Sequence, residues 1–269
     1  KENFKIMWGN KPFRNQLISG VLRSPIQILL SVAMTLMSYY YGNYFGDYML
    51  YMIIFGGAIF GGQFIAMALV PKLAEKHDKT RMLIGSTIMG AIPFALIYPV
   101  YLLAPRDLDQ PLWVAILFVV FALAGGGIGA LSVLQSVMIA DCVDYEEYHN
   151  GVRTDGVFFS GQSFITKLSG GIASILSAVV YHFVGYSDAN ILKLNEALKS
   201  GADFLSYDGG SGAGKYAATM FFLISIPPAI GMVLSALPTI KYAMSDKEHS
   251  RILSELVAKR AAKNDDSAE

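Results

Sequence analysis

Charge is scarce in this chain, and its absence from the long apolar runs matters most. Asp, Glu, Lys and Arg make up 16% of the 269 residues, against roughly a quarter in soluble domains. Basic and acidic residues balance at 21 each, so whole-chain electrostatics point to no nucleic-acid partner. One cysteine, Cys142, excludes an internal disulfide, and there is no C-x-x-C and no Cys/His cluster of metal-ligand spacing. No metal and no cofactor is expected. The chain opens on Lys1, with neither an initiator methionine nor a charged-then-apolar leader, which predicts that a segment precedes it.

What is present is hydrophobic. Apolar residues make up 54% and the mean hydropathy is +0.44. Six apolar segments stand out, at 17–44, 48–70, 82–103, 112–139, 157–183 and 216–243. Each exceeds the roughly 20 residues that span a bilayer, and most lack the polar stripe of a soluble bundle helix. The fold expected is an all-α polytopic membrane protein with a six-helix bundle over 17–243. A cytoplasmic linker over 1–16 and a cytoplasmic tail helix over 244–269 flank it. No carboxylate lies within the six segments. Arg23, with Pro25, interrupts the start of the first and is read either at the interface or in a cavity. G-x-x-x-G pairs at Gly57/Gly61 and Gly125/Gly129 mark close helix approach, and Pro227–Pro228 predicts a kink.

Lysine and arginine sort by loop. One side receives the stretch from Lys1 to Arg14, the 72–81 loop, Arg153 and the tail from Lys241. The other receives Arg106, Lys193, Lys199 and Lys215. With six spans, both termini are expected in the cytoplasm. The long outer segment 186–214 ends in the glycine-rich DGGSGAG. It has no G-K-[ST] and no preceding strand, so it is not a phosphate loop. Ile191, Leu192, Leu194 and Leu198 predict a short interfacial helix within it. Ser245-x-x-Glu248 predicts a capped tail helix with an apolar stripe at Ile252, Leu253, Leu256 and Val257.

The stretch 139–171, IADCVDYEEYHNGVRTDGVFFSGQSFITKLSGG, concentrates the chemistry. Asp141, Asp144, Glu146, Glu147, His149, Arg153 and Asp155 crowd fifteen positions. They read either as a solvated loop or as a gate in which Asp141 and Asp144 bond Arg153 or the 72–81 loop in one conformation only. No nucleophile elbow accompanies them, so an enzyme is not expected. Lys167 lies about 15 Å beyond Val157, near the middle of a hydrocarbon core about 30 Å thick. A cation at that depth requires a cavity or a protein partner. Ser160, Ser163, Lys167 and Ser174 share its helix face, with Gln162 about 140° around from Lys167 and nearer Thr166. In the fourth segment Gly129, Ser132, and Gln135 or Ser136 recur similarly. Two such faces suit a polyol-binding wall, although an interhelical hydrogen bond would equally explain Gln135.

The run ADCVDYEEY, the following Arg153 and the Q-S-x3-K-x-S-G pattern from Gln162 resemble the glycoside–pentoside–hexuronide:cation symporters of the major facilitator superfamily. The basic loop KLAEKHDKTRM adds to the likeness, which extends over nearly the whole chain. The resemblance implies the C-terminal half of a twelve-helix fold that moves a small sugar or glycoside with Na+ or H+ by alternating access. It places Lys167, Gln162 and Ser163 at or near the sugar, and makes Asp141, Asp144 and Arg153 cytoplasmic gating charges. The coupling ion would be bound mainly by an N-terminal six-helix half. The expected setting is the lipid bilayer of a bacterial inner membrane. A symporter of a non-sugar substrate such as a lysophospholipid, or a non-transporting assembly half, are the alternatives.

Overall fold

The computed structural model describes residues 2–42, 46–209, 215–240 and 244–266, and side chains between 3 and 260. Tyr44 and Ala243, the expected ends of the first and sixth spans, lie outside the described residues. So do Lys1, 267–269 and the glycine run 210–214. Every regular element among the described residues is a helix. In chain order these are α1 (Glu2–Gly9), α2 (Lys11–Leu22), a 3-10 turn (Ser24–Gln27), α3 (Ile28–Leu36) and a π-helical segment (Met37–Gly42). There follow α4 (Tyr48–Ala74), α5 (Lys79–Leu103), α6 (Pro111–Asn150), α7 (Asp155–Phe183), α8 (Asp188–Lys199), α9 (Tyr216–Ile240) and α10 (Asp246–Asp266).

Five helices, α4, α5, α6, α7 and α9, are long and apolar enough to cross a bilayer. The first expected span is broken: α2 and the segment Ser24–Gly42 together would make a sixth, bent by 44°. Arg23 sits at the bend and Pro25 at the first turn beyond it, where a proline's missing N–H costs nothing. Polar caps start the helices. Asn10 accepts from Phe13 N, Asp47 from Leu50 N and Asp78 from Arg81 N, each at 3.0 Å, and Ser245 accepts from Glu248 N at 3.3 Å. Residues 2–16, expected as a linker, instead hold α1 and the first turns of α2. Met7 and Phe13 pack there against Cys142 and Phe158.

α6 is the centre, with α4 on one side and α5 on another; α9 joins α5 to α2 and α3, and α7 completes the group. Glycine makes the α6 contacts possible. A Cβ on Gly125 or Gly129 would fall within 2.0 Å of Ile59 O or 2.3 Å of Gln63 O, and one on Gly62 within 1.9 Å of Ala122 O. Gly127, about 200° around from Gly125, meets Gly90 of α5 in the same way. The expected pair Gly57/Gly61 does not pack: a Cβ at either would meet nothing within 4 Å. The α4 face against α6 is Phe55, Ala58, Gly62, Ala66 and Val70, so helical spacing selects Gly62, one position beyond the motif.

The prolines of α5 and α9 lie inside continuous helices. Beside them, Ser225 of α9 enters the α5 backbone ladder. Its Oγ accepts from Tyr98 N at 3.0 Å and donates to Phe94 O at 2.6 Å, occupying an i to i−4 step next to Pro99. At the same end lies a cluster of aromatic rings from Tyr40, Tyr41, Tyr51, Phe55, Tyr101 and Phe221. α8 is present as expected but is not a surface helix throughout. Leu194 is fully buried in the bundle core, and Asn195 accepts from Tyr39 OH at 3.0 Å. Arg106 closes this end on Asp203 at 2.6 Å. Partial burial raises the Asp203 carboxyl, but the guanidinium and Leu205 N–H outweigh it and hold it below the usual carboxylate range.

Overpacking a backbone contact costs about 1–3 kcal/mol or more. Gly125→Leu should therefore lower the thermal midpoint in detergent by several degrees or prevent folding, whereas Gly57→Leu should leave it unchanged. Equal effects at the two positions would refute the α4–α6 register.

Candidate functional site

α6 is 40 residues long, about 60 Å at 1.5 Å per residue, and ends at Gly151 with φ of 70°. It continues eleven residues past Ile139, the expected end of the span. Asp141, Asp144, Glu146, Glu147 and His149 therefore stand on a helix and not in a loop, which is confined to 151–154. The reason is packing. Ile139, Cys142 and Val143 bury against Phe13 and Phe158, while Tyr145 and Tyr148 bury against Met244, Ile252 and Leu256 of α10 and its approach.

Two polar groups lie along α6. The first is a cavity of about 250 Å³ between α6, α7 and the bend after α2. Its polar lining includes Arg23, Gln27, Ser132, Gln135, Gln162 and Thr166. Arg23 points into this cavity and not to an interface, donating through Nη2 to Gln135 Oε1. Gln135 is 7% exposed while Arg23 is half-buried, so this bond is partly shielded from solvent. Ser132 donates to Ile128 O at 2.9 Å, Gln162 Nε2 donates to Ser136 Oγ at 3.4 Å, and Thr166 donates to Gln162 O at 3.2 Å. The cavity wall is shaped by Gly20, whose Cβ would reach Ile165 at 2.4 Å, and by Ser169, which donates to Gly20 O at 3.2 Å.

The structure brings Gln162, Ser132 and Gln135 together but places Lys167 and Ser163 outside the cavity lining. Both lie on the outer face of α7, where Ser160, Ser163, Lys167, Gly171 and Ser174 are all exposed. Lys167 has no hydrogen bond or ion pair among the described residues, and Ser163 donates to Phe159 O at 3.3 Å. Helical geometry explains the division. The buried row of α7 is Phe158, Gly161, Ile165, Ser169, Ala173 and Ser177, with Gln162–Thr166 beside it and Ser163–Lys167 a further 100° around.

The second group is at the basic end. Lys79 Nζ meets Asp141 Oδ2 at 2.5 Å and Asp246 Oδ1 at 3.5 Å. His249 Nε2 lies 3.1 Å from Asp144 Oδ2 and 3.5 Å from Asp141 Oδ1. Arg153 reaches Asp144 at 3.4 Å, Glu147 at 3.2 Å and Asp155 at 2.9 Å. Asp155 is the chief cause holding the Arg153 guanidinium above its ordinary value. Arg260 pairs with Glu147 at 2.6 Å. Asn10 Nδ2 donates to Cys142 O and Glu146 Oε2, both at 3.0 Å. Asp141, Asp144 and Arg153 are thus joined, through Lys79 and His249, to α5 and α10. Lys79 lay in the expected basic loop. The roles of His249, Arg260 and Asn10 had no local signal, because their pairs are 105 to 136 residues apart.

The family model described as "MFS/sugar transport protein" matches residues 1–246. Over 143 residues, 50% of this chain and 28% of the relative, the sequence is 26% identical to a "Putative sulfoquinovose importer" of Salmonella typhimurium. Over 138 residues, 51% of the chain and 24% of the relative, it is 32% identical to an isoprimeverose transporter of Lactiplantibacillus pentosus. The matched stretches span about a quarter of those relatives' length.

Burial ranks the charges at the basic end. Side-chain exposure is 6% for Asp141 and 15% for Lys79, but 50% for Asp155 and 49% for Arg153. Stranding one member of a buried pair costs about 3–5 kcal/mol, while an exposed pair is worth about 0–1 kcal/mol. Asp141→Ala should therefore lower the thermal midpoint clearly more than Asp155→Ala in parallel melts. The reverse order would contradict this ranking.

Proposed function

The chain belongs to the MFS/sugar transport protein family, and on that premise we propose that it forms one side of the substrate pathway of a secondary sugar transporter. It is an all-α polytopic membrane protein whose relatives are transporters and not enzymes. The observation that carries the reading is the exposed row Ser160, Ser163, Lys167, Gly171 and Ser174, flanked on the same helix by exposed Phe159, Phe164, Leu168 and Ile175. A hydroxyl row with an ammonium near the bilayer midplane is costly against lipid, so it faces a watery pathway or another protein surface. The cavity holding Gln162, Ser132 and Gln135 lies beside it, with the amides and hydroxyls that sugar hydroxyls require. That lining suits a sugar or glycoside better than a lysophospholipid.

In this reading the chain is the C-terminal six-helix half, and the opposing wall comes from an N-terminal six-helix half. The spans contain no Asp or Glu, so carboxylates of that half would bind the coupling Na+ or H+. The two halves would rock about the midplane site. Asp141, Asp144 and Arg153 would close the cytoplasmic side, with Lys167 contacting a sugar hydroxyl and a carboxylate of the opposing half. Both termini lie in the cytoplasm of a bacterial cell.

Uptake of labelled glycosides by membrane vesicles carrying the complete transporter tests this. Lys167→Ala should reduce uptake at least tenfold and change its cation dependence, since an unpaired carboxylate takes up a proton. Unchanged uptake and coupling in a folded Lys167→Ala protein would remove Lys167 from the site, and uptake of no sugar at all would remove the function. Topology is checked separately. Cys142 is buried, so single cysteines at exposed His77 and Ser200 can be read with an impermeant thiol reagent on intact cells. Ser200→Cys should label and His77→Cys should not; the opposite pattern would invert the orientation.

A further inference from the structure

α4 and α5 each pack on α6 far more than on one another. On α6, Gly125 and Gly129 take the α4 contact and Gly127 the α5 contact. The row Ala122, Gly126 and Ala130 lies between those two faces and carries almost no side chain. It floors a groove of about 460 Å³ that opens on the outside of the bundle, with exposed Ile65 and Leu69 of α4 on one wall and Met89 of α5 on the other. Apart from Ser86, the lining is apolar. Along α4 it runs from Gly62 to Leu73, about 16 Å of helix rise. That is roughly one leaflet of a hydrocarbon core about 30 Å thick.

Cations stand at the mouth of the groove. Lys72 is one turn beyond Leu69, Lys76 one turn beyond Leu73, and Arg81 one turn before Gly85. The three therefore continue the groove's own faces out of the hydrocarbon. All are exposed, and among the described residues none of them forms an ion pair. The carboxylates of this turn are Glu75 and Asp78, and Asp78 accepts from Arg81 N as a helix cap. Lys79 is already taken by Asp141 and Asp246. The mouth is left net positive.

We propose that this groove is a binding site for one anionic phospholipid. An acyl chain would lie on the Ala122–Gly126–Ala130 floor, with the phosphate at Lys72, Lys76 and Arg81. Each end selects for this occupant. A leaflet-long apolar recess takes a single chain, and unpaired juxtamembrane lysine and arginine attract an acidic headgroup. A zwitterionic lipid would fill the groove equally well but leave the cations without a counter-charge. The inference rests on the membrane-spanning fold and not on the identity of the transported solute. A lipid wedged between α4 and α5 would also brace both helices against α6.

Native mass spectrometry of the complete transporter in detergent tests this, titrating dioleoyl phosphatidylglycerol against dioleoyl phosphatidylcholine. Wild type should hold one phosphatidylglycerol at least tenfold more tightly, since each basic side chain at an acidic headgroup supplies a factor of about five. Replacing Lys72, Lys76 and Arg81 together with Gln should abolish the preference and leave phosphatidylcholine binding as it was. A Cβ at Gly85 meets nothing within 4 Å, so Gly85→Phe fills the groove without striking a packing contact. It should cut binding of both lipids about tenfold. Equal retention of the two lipids by wild type, or a preference that survives the triple substitution, overturns the proposal. So does unchanged phosphatidylglycerol binding by Gly85→Phe. No bound lipid of either kind would assign the groove to a protein helix and overturn it as well. The triple substitution lies at exposed sites, so misfolding of Gly85→Phe does not shield the proposal.

Discussion

The backbone-to-backbone contact of α6 with α4 and α5 is the constraint on which the other arrangements depend. Gly125 and Gly129 face α4, and Gly127 faces α5, at separations that leave no space for a Cβ. In lipid there is no hydrophobic force between helices, so dispersion across such close contacts does much of the work of association. Once that register is set, the rest of the forty-residue rod is placed. Ser132 and Gln135 come next along it, about one to two turns on, and Asp141 and Asp144 follow within three further turns. One rigid element thus carries the polar wall and the charged basic end, and a shift of α6 moves both together.

The second constraint is the cost of polar groups in an apolar solvent. Most are resolved locally. Ser132, Ser136, Ser163, Thr166 and Ser174 each donate to a backbone carbonyl four residues back, which satisfies the proton and leaves hydroxyl lone pairs available. Ser225 goes further by joining α9 to the α5 ladder at Tyr98 and Phe94. Arg23 and Lys167 are different in kind, because no backbone carbonyl can neutralise a full charge. Their environments also differ: Arg23 is held by Gln135 inside a cavity, and Lys167 stands on an exposed face. Whatever neutralises them in the bilayer must come from a bound solute or from protein beyond this bundle.

Much of the bundle was legible because hydropathy is a local signal. The spans after the first are recognisable as apolar runs, and the Ser245 cap is readable within four residues. The failures share a cause. The motif Gly57/Gly61 predicts the α4 contact, yet the helical row set by Phe55, Ala58, Ala66 and Val70 puts Gly62 there instead. The apolar run of α6 stops before the first acidic residues, although their buried neighbours Cys142 and Val143 continue the helix into contact with Phe13 and Phe158. Arg23 has no face that the sequence alone defines, because the bend at the following Pro25 breaks the helical wheel. Gln162 and Lys167 belong to one motif but to different surfaces, since five residues turn a helix by about 140°.

The basic end shows why pair energies alone do not describe the molecule. Each exposed ion pair there is worth about 0–1 kcal/mol, so no single one of the contacts of Arg153 or Arg260 can hold two helices together. Lys79 and Asp141 are nearly buried, and His249 reaches both Asp141 and Asp144 from α10. The apolar contacts of Ile252 and Leu256 with Tyr145 and Tyr148 hold α10 over that group and shield it from water. Separating the start of α5 from α6 would therefore break the Lys79–Asp141 pair and also disturb the seat of α10, whose Asp246 accepts from Lys79 N. The tail helix is bound to both sides of the same joint, and its removal would weaken the joint by exposing the Lys79–Asp141 pair.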